Sequence, residues 1–201
     1  MKNVIFSLFF LALLALSSSV RADDNPCWQN PAVNQVNRLP MTATLQTDDP
    51  KIDLAGEWKF KFYYLEDQQC GYIDAPCEDW DNIQVPGMLE LQGYGVPVYL
   101  NVGYAWRGHF KNNPPYVPIK DNYAGQYRRK VLIDKELKNR DIILHIGSAT
   151  SNVRVWINGI EAGYSEDSKL EARFDITKYV KFGAENEITL EVMRWCDGTY
   201  L

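Results

Sequence analysis

The chain contains several short runs in which apolar and polar residues alternate, the pattern of β-strands buried on one face. The clearest run, residues 56–63, alternates aromatic with charged side chains, whereas residues 141–147 are mostly apolar and are expected to be buried on both faces. Asn158-Gly159 predicts a type I′ hairpin turn, and residues 183–186 predict the last turn. The predicted strands cover residues 56–63, 127–133, 141–147, 152–157, 160–164, 170–176 and 187–193.

Short strands at a spacing of about ten residues, without helical periodicity, predict an all-β fold, either a β-sandwich or a jelly roll. A long irregular stretch, residues 83–122, interrupts the strands and is rich in Gly, Pro, Tyr and Asn. Connections of that length are usually functional or disordered. The many aromatic residues favour an ordered, packed loop.

The N-terminus has the composition of a secretory signal peptide. Lys2 precedes an almost continuous apolar run, residues 4–16, and Val20 and Ala22 occupy the −3 and −1 positions of a cleavage site. The run is shorter than the roughly 20 residues needed to span a membrane. We therefore predict a signal peptide over residues 1–22, export to the periplasm or the extracellular space, and no membrane span after cleavage.

The next segment, residues 23–50, contains few apolar residues, and its composition fits either an extended arm on a surface or a disordered segment. Residues 51–201 then form the predicted sandwich domain. The chain ends on an aromatic and an aliphatic residue, Tyr200 and Leu201, just after the Asp197-Gly198 turn. Compact domains usually end in a polar tail, so we expect an incomplete chain, the front portion of a longer polypeptide.

Charge and cysteine content exclude several classes of partner. Cleavage after residue 22 removes Lys2 and Arg21 and changes the formal net charge from −5 to −7. That acidity argues against nucleic acids and anionic membranes, which bind basic patches.

No cysteine or histidine spacing fits a zinc site. Cys70 and Cys77 flank a turn-rich loop, and a disulfide between them would contribute about 2–3 kcal/mol; two free thiols are the alternative, and four cysteines allow three pairings.

Several segments resemble the N-terminal sugar-binding domain of family 2 glycoside hydrolases. Residues 85–101 carry the resemblance, and the segment from Asn113 to Pro118 narrows it to the large retaining β-galactosidases. The similarity runs from about Pro31 to the last residue. It implies a galactose-binding-domain-like jelly roll, which agrees with the strand pattern. Further matching segments are residues 148–159, 163–169, 174–177 and 194–201.

The resemblance implies roles for two residues, Asn101 and Asp197, which in the family reach into the active site of a neighbouring barrel. Asp197 matches an aspartate that contacts galactosyl hydroxyls and ligates sodium, and a carboxylate forms strong charge-assisted hydrogen bonds to hydroxyls. The Asn101 amide both donates and accepts, which suits a pair of adjacent hydroxyls. The alternative is that both are turn residues. Cys196 stands where other members often carry serine.

The resemblance places the catalytic chemistry outside this chain. Retaining glycosidases need two carboxyl groups about 5 Å apart; in the family both are glutamates of the barrel, which also binds magnesium. The isolated chain is therefore expected to be inactive. Its adjacent carboxylates, Glu166 with Asp167 and Glu78 with Asp79, are expected in solvated loops, because neighbours on a strand point to opposite faces.

Six tryptophans and twelve tyrosines raise the question of sugar stacking. Trp58, Trp156 and Trp195 occupy strand positions where core packing or an interdomain contact is expected. Trp106, in the irregular stretch beside Asn101, is the best candidate for an exposed aromatic residue at a sugar site.

Two functions from different classes follow. The first is the N-terminal domain of an exported β-galactosidase that hydrolyses terminal non-reducing β-D-galactosyl residues, with the barrel and a galactoside or glycan as partners. The second is a stand-alone carbohydrate-binding module without catalysis. A third, weaker hypothesis is a related activity such as that of a β-glucuronidase or a β-mannosidase. The resemblance also implies magnesium and sodium in the complete enzyme, and assembly into a homo-oligomer.

Overall fold

The computed structural model describes residues 25–41, 47–97, 115–167 and 169–199. These residues form β-strands joined by loops and short 3₁₀ helices. The strands are β1 (Gln35–Val36), β2 (Gly56–Tyr64), β3 (Asp81–Val85), β4 (Tyr123–Ile133), β5 (Ile143–Ile146), β6 (Val153–Ile157), β7 (Ile160–Ser165), β8 (Ala172–Asp175) and β9 (Ala184–Met193). The 3₁₀ helices are Cys27–Gln29, Glu90–Gln92, Lys135–Leu137, Thr177–Tyr179 and Asp197–Thr199.

The strands form two antiparallel sheets. The larger has seven strands in the order β1-β7-β6-β9-β4-β2-β3, and the smaller consists of β5 and β8. At the centre, β4 and β9 pair without a break from Ala124 opposite Met193 to Ile133 opposite Ala184. This architecture confirms the predicted all-β, jelly-roll type of sandwich.

The apolar core lies between the two sheets. Period-two alternation directs Ile188 of β9 and Val155 of β6 to this side, where they meet Leu144 and Phe174 of the smaller sheet. Phe60 of β2 is fully buried in the same cluster. Burial of apolar surface of this kind is the main stabilising contribution to the fold.

The opposite side of the larger sheet, which we call the outer face, carries polar side chains covered by a loop. Arg128 of β4 donates to the carbonyl oxygens of Ile73 and Ala75, at 2.7 Å each, and its guanidinium lies 4.6 Å from the ring centre of Trp80. Polar contacts therefore attach the loop that precedes β3 to this face. Cation–π contacts of this kind add to the hydrogen bonds.

A second buried polar group on the outer face is Glu191 of β9. It accepts hydrogen bonds from the Tyr63 hydroxyl and from the backbone N–H of Gly71, and Arg154 of β6 lies 3.5 Å away. Arg154 in turn lies over the ring of Trp28, which belongs to the N-terminal arm. A buried carboxylate needs such partners, because desolvation without them is costly.

The described part of the N-terminal arm, residues 25–41, bridges the two sheets. Gln35 and Val36 pair with the end of β7, and the Leu39 N–H donates to the carbonyl oxygen of Arg173 in β8 at 2.8 Å. Arg38 forms an ion pair with Asp167 at 3.2 Å. The arm thus contacts the segment that follows β7.

The hairpin prediction is confirmed, since Asn158 and Gly159 have φ values of 53° and 80° between β6 and β7. The prediction for β5 was wrong. In β5, Ile143 and His145 are exposed while Leu144 is buried, so the strand is not buried on both faces. It pairs with β8 alone in the described structure, and one side faces solvent.

The last turn lies earlier than predicted, because β9 begins at Ala184 and only Gly183 of residues 183–186 keeps a turn conformation, with φ 75°. Strands β1 and β3 were not predicted. β3 occupies the start of the stretch that was predicted to be irregular, and it pairs with β2.

The predicted disulfide is absent, because Cys70 and Cys77 are both free thiols. Their side chains lie in different surroundings. Cys70 packs against the cluster of Tyr63, Ala124 and Met193, and burial raises its pKa to about 12. Cys77 lines an open depression beside Lys59.

Within the described ranges, no helix has the length and apolar character needed to cross a membrane. Residues 1–22, Asn101 and Trp106 lie outside the described residues.

Candidate functional site

The end of β9 leads directly to Asp197 through a tightly held segment. Asn122, fully buried just before β4, accepts a hydrogen bond from the Trp195 N–H at 3.2 Å and donates to the Trp195 carbonyl oxygen at 3.1 Å. The Arg194 guanidinium lies 4.1 Å from the centre of the Trp195 ring and 5.0 Å from that of Tyr123. These contacts fix the direction in which the chain leaves the sheet.

Asp197 begins a single 3₁₀ turn, Asp197–Thr199, which two hydrogen bonds between Cys196 and Thr199 stabilise. The Thr199 hydroxyl accepts from the Cys196 N–H at 3.0 Å, and the Thr199 N–H donates to the Cys196 carbonyl oxygen at the same distance. The Gly198 N–H donates to Asp197 Oδ1 at 3.1 Å. Thr199 thus caps the turn from both sides.

Asp197 is nonetheless a buried carboxylate, with 2% of its surface exposed. Its second oxygen, Oδ2, has no hydrogen-bond partner among the described residues. Buried polar atoms are almost always hydrogen-bonded, and turn aspartates normally face water. The turn geometry alone therefore does not explain this side chain, and Oδ2 is available to a donor or a cation.

Glu166, directly after β7, lies next to Asp197. It is buried, and its Oε2 accepts a hydrogen bond from the fully buried Tyr164 hydroxyl at 2.8 Å. One oxygen of Glu166, one oxygen of Asp197 and the sulfur of Cys196 lie within 4.8 Å of one another. The three side chains form one cluster, which we call the carboxyl cluster.

The expectation of a solvated loop was wrong for Glu166. Its side chain shares a face of the chain with Tyr164, which is fully buried two residues earlier, whereas Asp167 is partly exposed and is paired with Arg38. Period two predicts this placement, because every second residue of a strand shares a face. Glu78 and Asp79 are exposed, as expected.

Burial and mutual proximity raise the pKa values of the cluster. Burial raises the pKa of Glu166 from 4.5 to about 8, and the neighbouring Asp197 adds to the shift. Burial also raises the pKa of Asp197, but the contact with Glu166 opposes that shift. Two buried carboxyl groups in contact cannot both ionise without cost. The two groups therefore titrate as a pair.

The carboxyl cluster fits a hard cation. Carboxylate oxygens are the ligands that such ions prefer, and Asp197 Oδ2 is buried without a donor. Glu166 offers a second oxygen beside it. Sodium, implied by the resemblance for Asp197, is compatible with this donor set.

The aromatic residues serve the fold. Trp58, Trp156 and Trp195 are each 3% exposed, so they are packed as predicted, and none of them offers a free face to a sugar.

Comparison with known proteins assigns the chain to a family. Residues 52–201 match the model of the sugar binding domain of glycosyl hydrolases family 2. The chain belongs to this family.

Relatives of this family 2 domain share its sequence over most of the chain. It is 38% identical over 198 residues to a beta-galactosidase of Priestia megaterium, covering 90% of this chain and 19% of that protein. It is 43% identical over 152 residues to a beta-galactosidase of Vibrio vulnificus, covering 74% of this chain and 14% of that protein. The chain thus spans less than a fifth of the length of these relatives.

A solved beta-glucuronidase of Faecalibacterium prausnitzii has the same fold. The TM-score is 0.52 at 21% identity, with 74% of this chain and 22% of the other covered. At this identity the likeness supports the sandwich architecture alone.

Proposed function

We propose that this family 2 domain belongs to an exported, retaining β-galactosidase and forms part of its galactose subsite through Asp197 and Asn101. The single observation that carries the proposal is the buried Asp197 carboxylate, held on a rigid turn with one oxygen unpartnered. The relatives named beta-galactosidase favour this activity over other family 2 activities.

In this proposal Asp197 accepts hydrogen bonds from galactosyl hydroxyls and ligates sodium through Oδ2. Bound sodium would supply a positive charge that offsets the buried carboxylate and an oxygen-coordinating centre beside the sugar. The contacts of Asn122 and Thr199 hold the turn, so the carboxylate is oriented before the sugar arrives. Such preorganisation reduces the entropic cost of binding.

Bond cleavage belongs, in this proposal, to two glutamates of the barrel, and magnesium to acidic and histidine residues there. The isolated chain is expected to be inactive toward nitrophenyl β-galactoside. Turnover by the purified chain that galactosidase inhibitors abolish would contradict this division of roles.

The test of the subsite is Asp197→Asn in the full-length protein made from its native gene. A charge-assisted hydrogen bond contributes about 1.5–3 kcal/mol, so kcat/KM for a β-galactoside should fall about tenfold to a hundredfold. The control is Asp167→Asn, which removes a carboxylate paired with Arg38 and outside the cluster. Equal losses in the two variants would refute the assignment.

Export is proposed from the N-terminal sequence. N-terminal sequencing of the native product should begin at Asp23, and an immunoblot should place it outside the cytoplasm. A product that retains Met1 and stays in the cytoplasm would contradict this part of the proposal. A band no larger than the mature chain would favour the stand-alone binding module.

A further inference from the structure

We propose that Glu166 is a positioning residue for Asp197, and that Gly198 lacks a side chain because Glu166 lies across it. The inference rests on the proposed role of Asp197 in binding sodium and galactose. It adds two residues to that site, neither of which needs to touch the sugar.

Two hydrogen bonds hold Glu166, one to its side chain and one to its backbone. The Tyr164 hydroxyl donates to Oε2 at 2.8 Å, and Tyr164 is fully buried, so this donor has no freedom to swing away. The Glu166 N–H donates to the carbonyl oxygen of Asn34 at 3.2 Å, which ties its backbone to the arm. A side chain held in this way can fix the position of a neighbour.

Gly198 is the point of contact between Glu166 and the Asp197 turn. A Cβ atom at Gly198 would meet Cγ, Cδ and the backbone oxygen of Glu166, each at 3.2 Å. Gly198 does not have the positive φ that favours glycine, unlike Gly159 or Gly183. Limited space, rather than backbone conformation, therefore favours glycine here.

This contact leaves Asp197 with a defined orientation. Oδ1 accepts from the Gly198 N–H at 3.1 Å, and a carboxyl oxygen of Glu166 lies within 4.8 Å of one of Asp197. Glu166 also packs against the turn at Gly198, directly after Asp197. Without it, the Asp197 side chain could rotate about its terminal torsion, which is intrinsically soft.

The experiment compares Glu166→Gln, Glu166→Ala, Gly198→Ala and the Glu166→Ala/Gly198→Ala double variant in the full-length protein. Asp197→Asn is the reference for loss of the sodium site, and Asp167→Asn is the control. The probe is sodium chloride, titrated against choline chloride at constant ionic strength. The readouts are the backbone amide signal of residue 198, sodium-23 relaxation and crystal structures of the variants. Thermal unfolding identifies any variant that fails to fold.

We expect Glu166→Gln to keep sodium affinity within about threefold of the parent, because the amide still accepts from Tyr164. Glu166→Ala and Gly198→Ala should each weaken it about tenfold, the equivalent of about one hydrogen bond. In the Glu166→Ala background, Gly198→Ala should add little, since most of the contact is already gone. Such non-additivity is the signature of two residues that act together.

Folded Glu166→Ala and Gly198→Ala variants with parental sodium affinity, alongside an Asp197→Asn variant that has lost it, would overturn the positioning role and leave the site intact. Sodium binding that survives Asp197→Asn would instead refute the proposed function. In that case the crystal structures still test the positioning role of Glu166. An Asp197 side chain that has not moved in Glu166→Ala would overturn that role, and a rotated Asp197 side chain would support it.

Discussion

Replacing Glu166 by glutamine should remove a pH dependence of folding stability that the buried carboxyl cluster creates. The pKa of Glu166 rises from 4.5 to about 8 on folding, chiefly through burial. Between these values the folded protein binds more protons than the unfolded chain. Its stability is therefore greatest below about pH 4.5 for this group and falls as the pH rises toward 8.

The magnitude follows from the size of the shift. One pKa unit corresponds to about 1.4 kcal/mol, so the shift sets an upper limit of about 5 kcal/mol. Because Glu166 titrates together with Asp197 and its surroundings relax, we expect roughly half of this, about 2–3 kcal/mol. Glutamine keeps the shape and the bond from Tyr164 but has no proton to lose.

The assay is urea unfolding followed by tryptophan fluorescence at pH 5, 6, 7 and 8. The difference in unfolding free energy between Glu166→Gln and the parent should shift in favour of the variant by about 2–3 kcal/mol from pH 5 to pH 8. Asp167→Asn should not reproduce this change. A difference between Glu166→Gln and the parent that is constant across the range would refute the reasoning.

Two further predictions concern stability and use the same unfolding assay. Tyr63→Phe should cost about 1–3 kcal/mol, because it removes a donor to the buried Glu191 carboxylate; an unchanged midpoint would contradict the importance of that bond. Gly163→Ala should cost about 1–3 kcal/mol, since a Cβ atom would lie 2.4 Å from the Phe174 ring. Gly147→Ala, which meets nothing within 4 Å, is the matched control, and equal effects would show that packing at β7 is not the cause.

Local sequence patterns predicted the parts of the fold that depend on local chemistry. Asn158-Gly159 set the hairpin because both residues tolerate positive φ. Alternation located most strands, including β2 and β9. The exposure of one face of β5 could not be predicted from its apolar composition, because that exposure depends on which elements pack against the strand.

Predicting the candidate site depended on motifs more than on patterns. Asp197 was found through resemblance, since Asp-Gly alone indicates only a turn. Glu166 was missed, although period-two alternation places it on the same face as Tyr164, which is fully buried. Its partner Asp197 is distant in sequence, and pairing at such separation is decided by the tertiary fold.

The buried polar residues of the outer face were also not predictable from local sequence. Arg128 and Glu191 occupy positions that alternation assigns to solvent, yet both are buried beneath a loop. Their hydrogen bonds to Ile73, Ala75 and Gly71 connect elements far apart in the chain. No local signal marks a polar face that a loop will cover.

The most direct test of the central claim is a crystal structure of the full-length protein, made from its native gene, with galactose and sodium chloride. We predict that Asp197 Oδ2 lies within hydrogen-bond distance of a galactosyl hydroxyl or within ligand distance of a sodium ion. A structure with galactose bound in the active site and Asp197 in contact with neither would contradict the account.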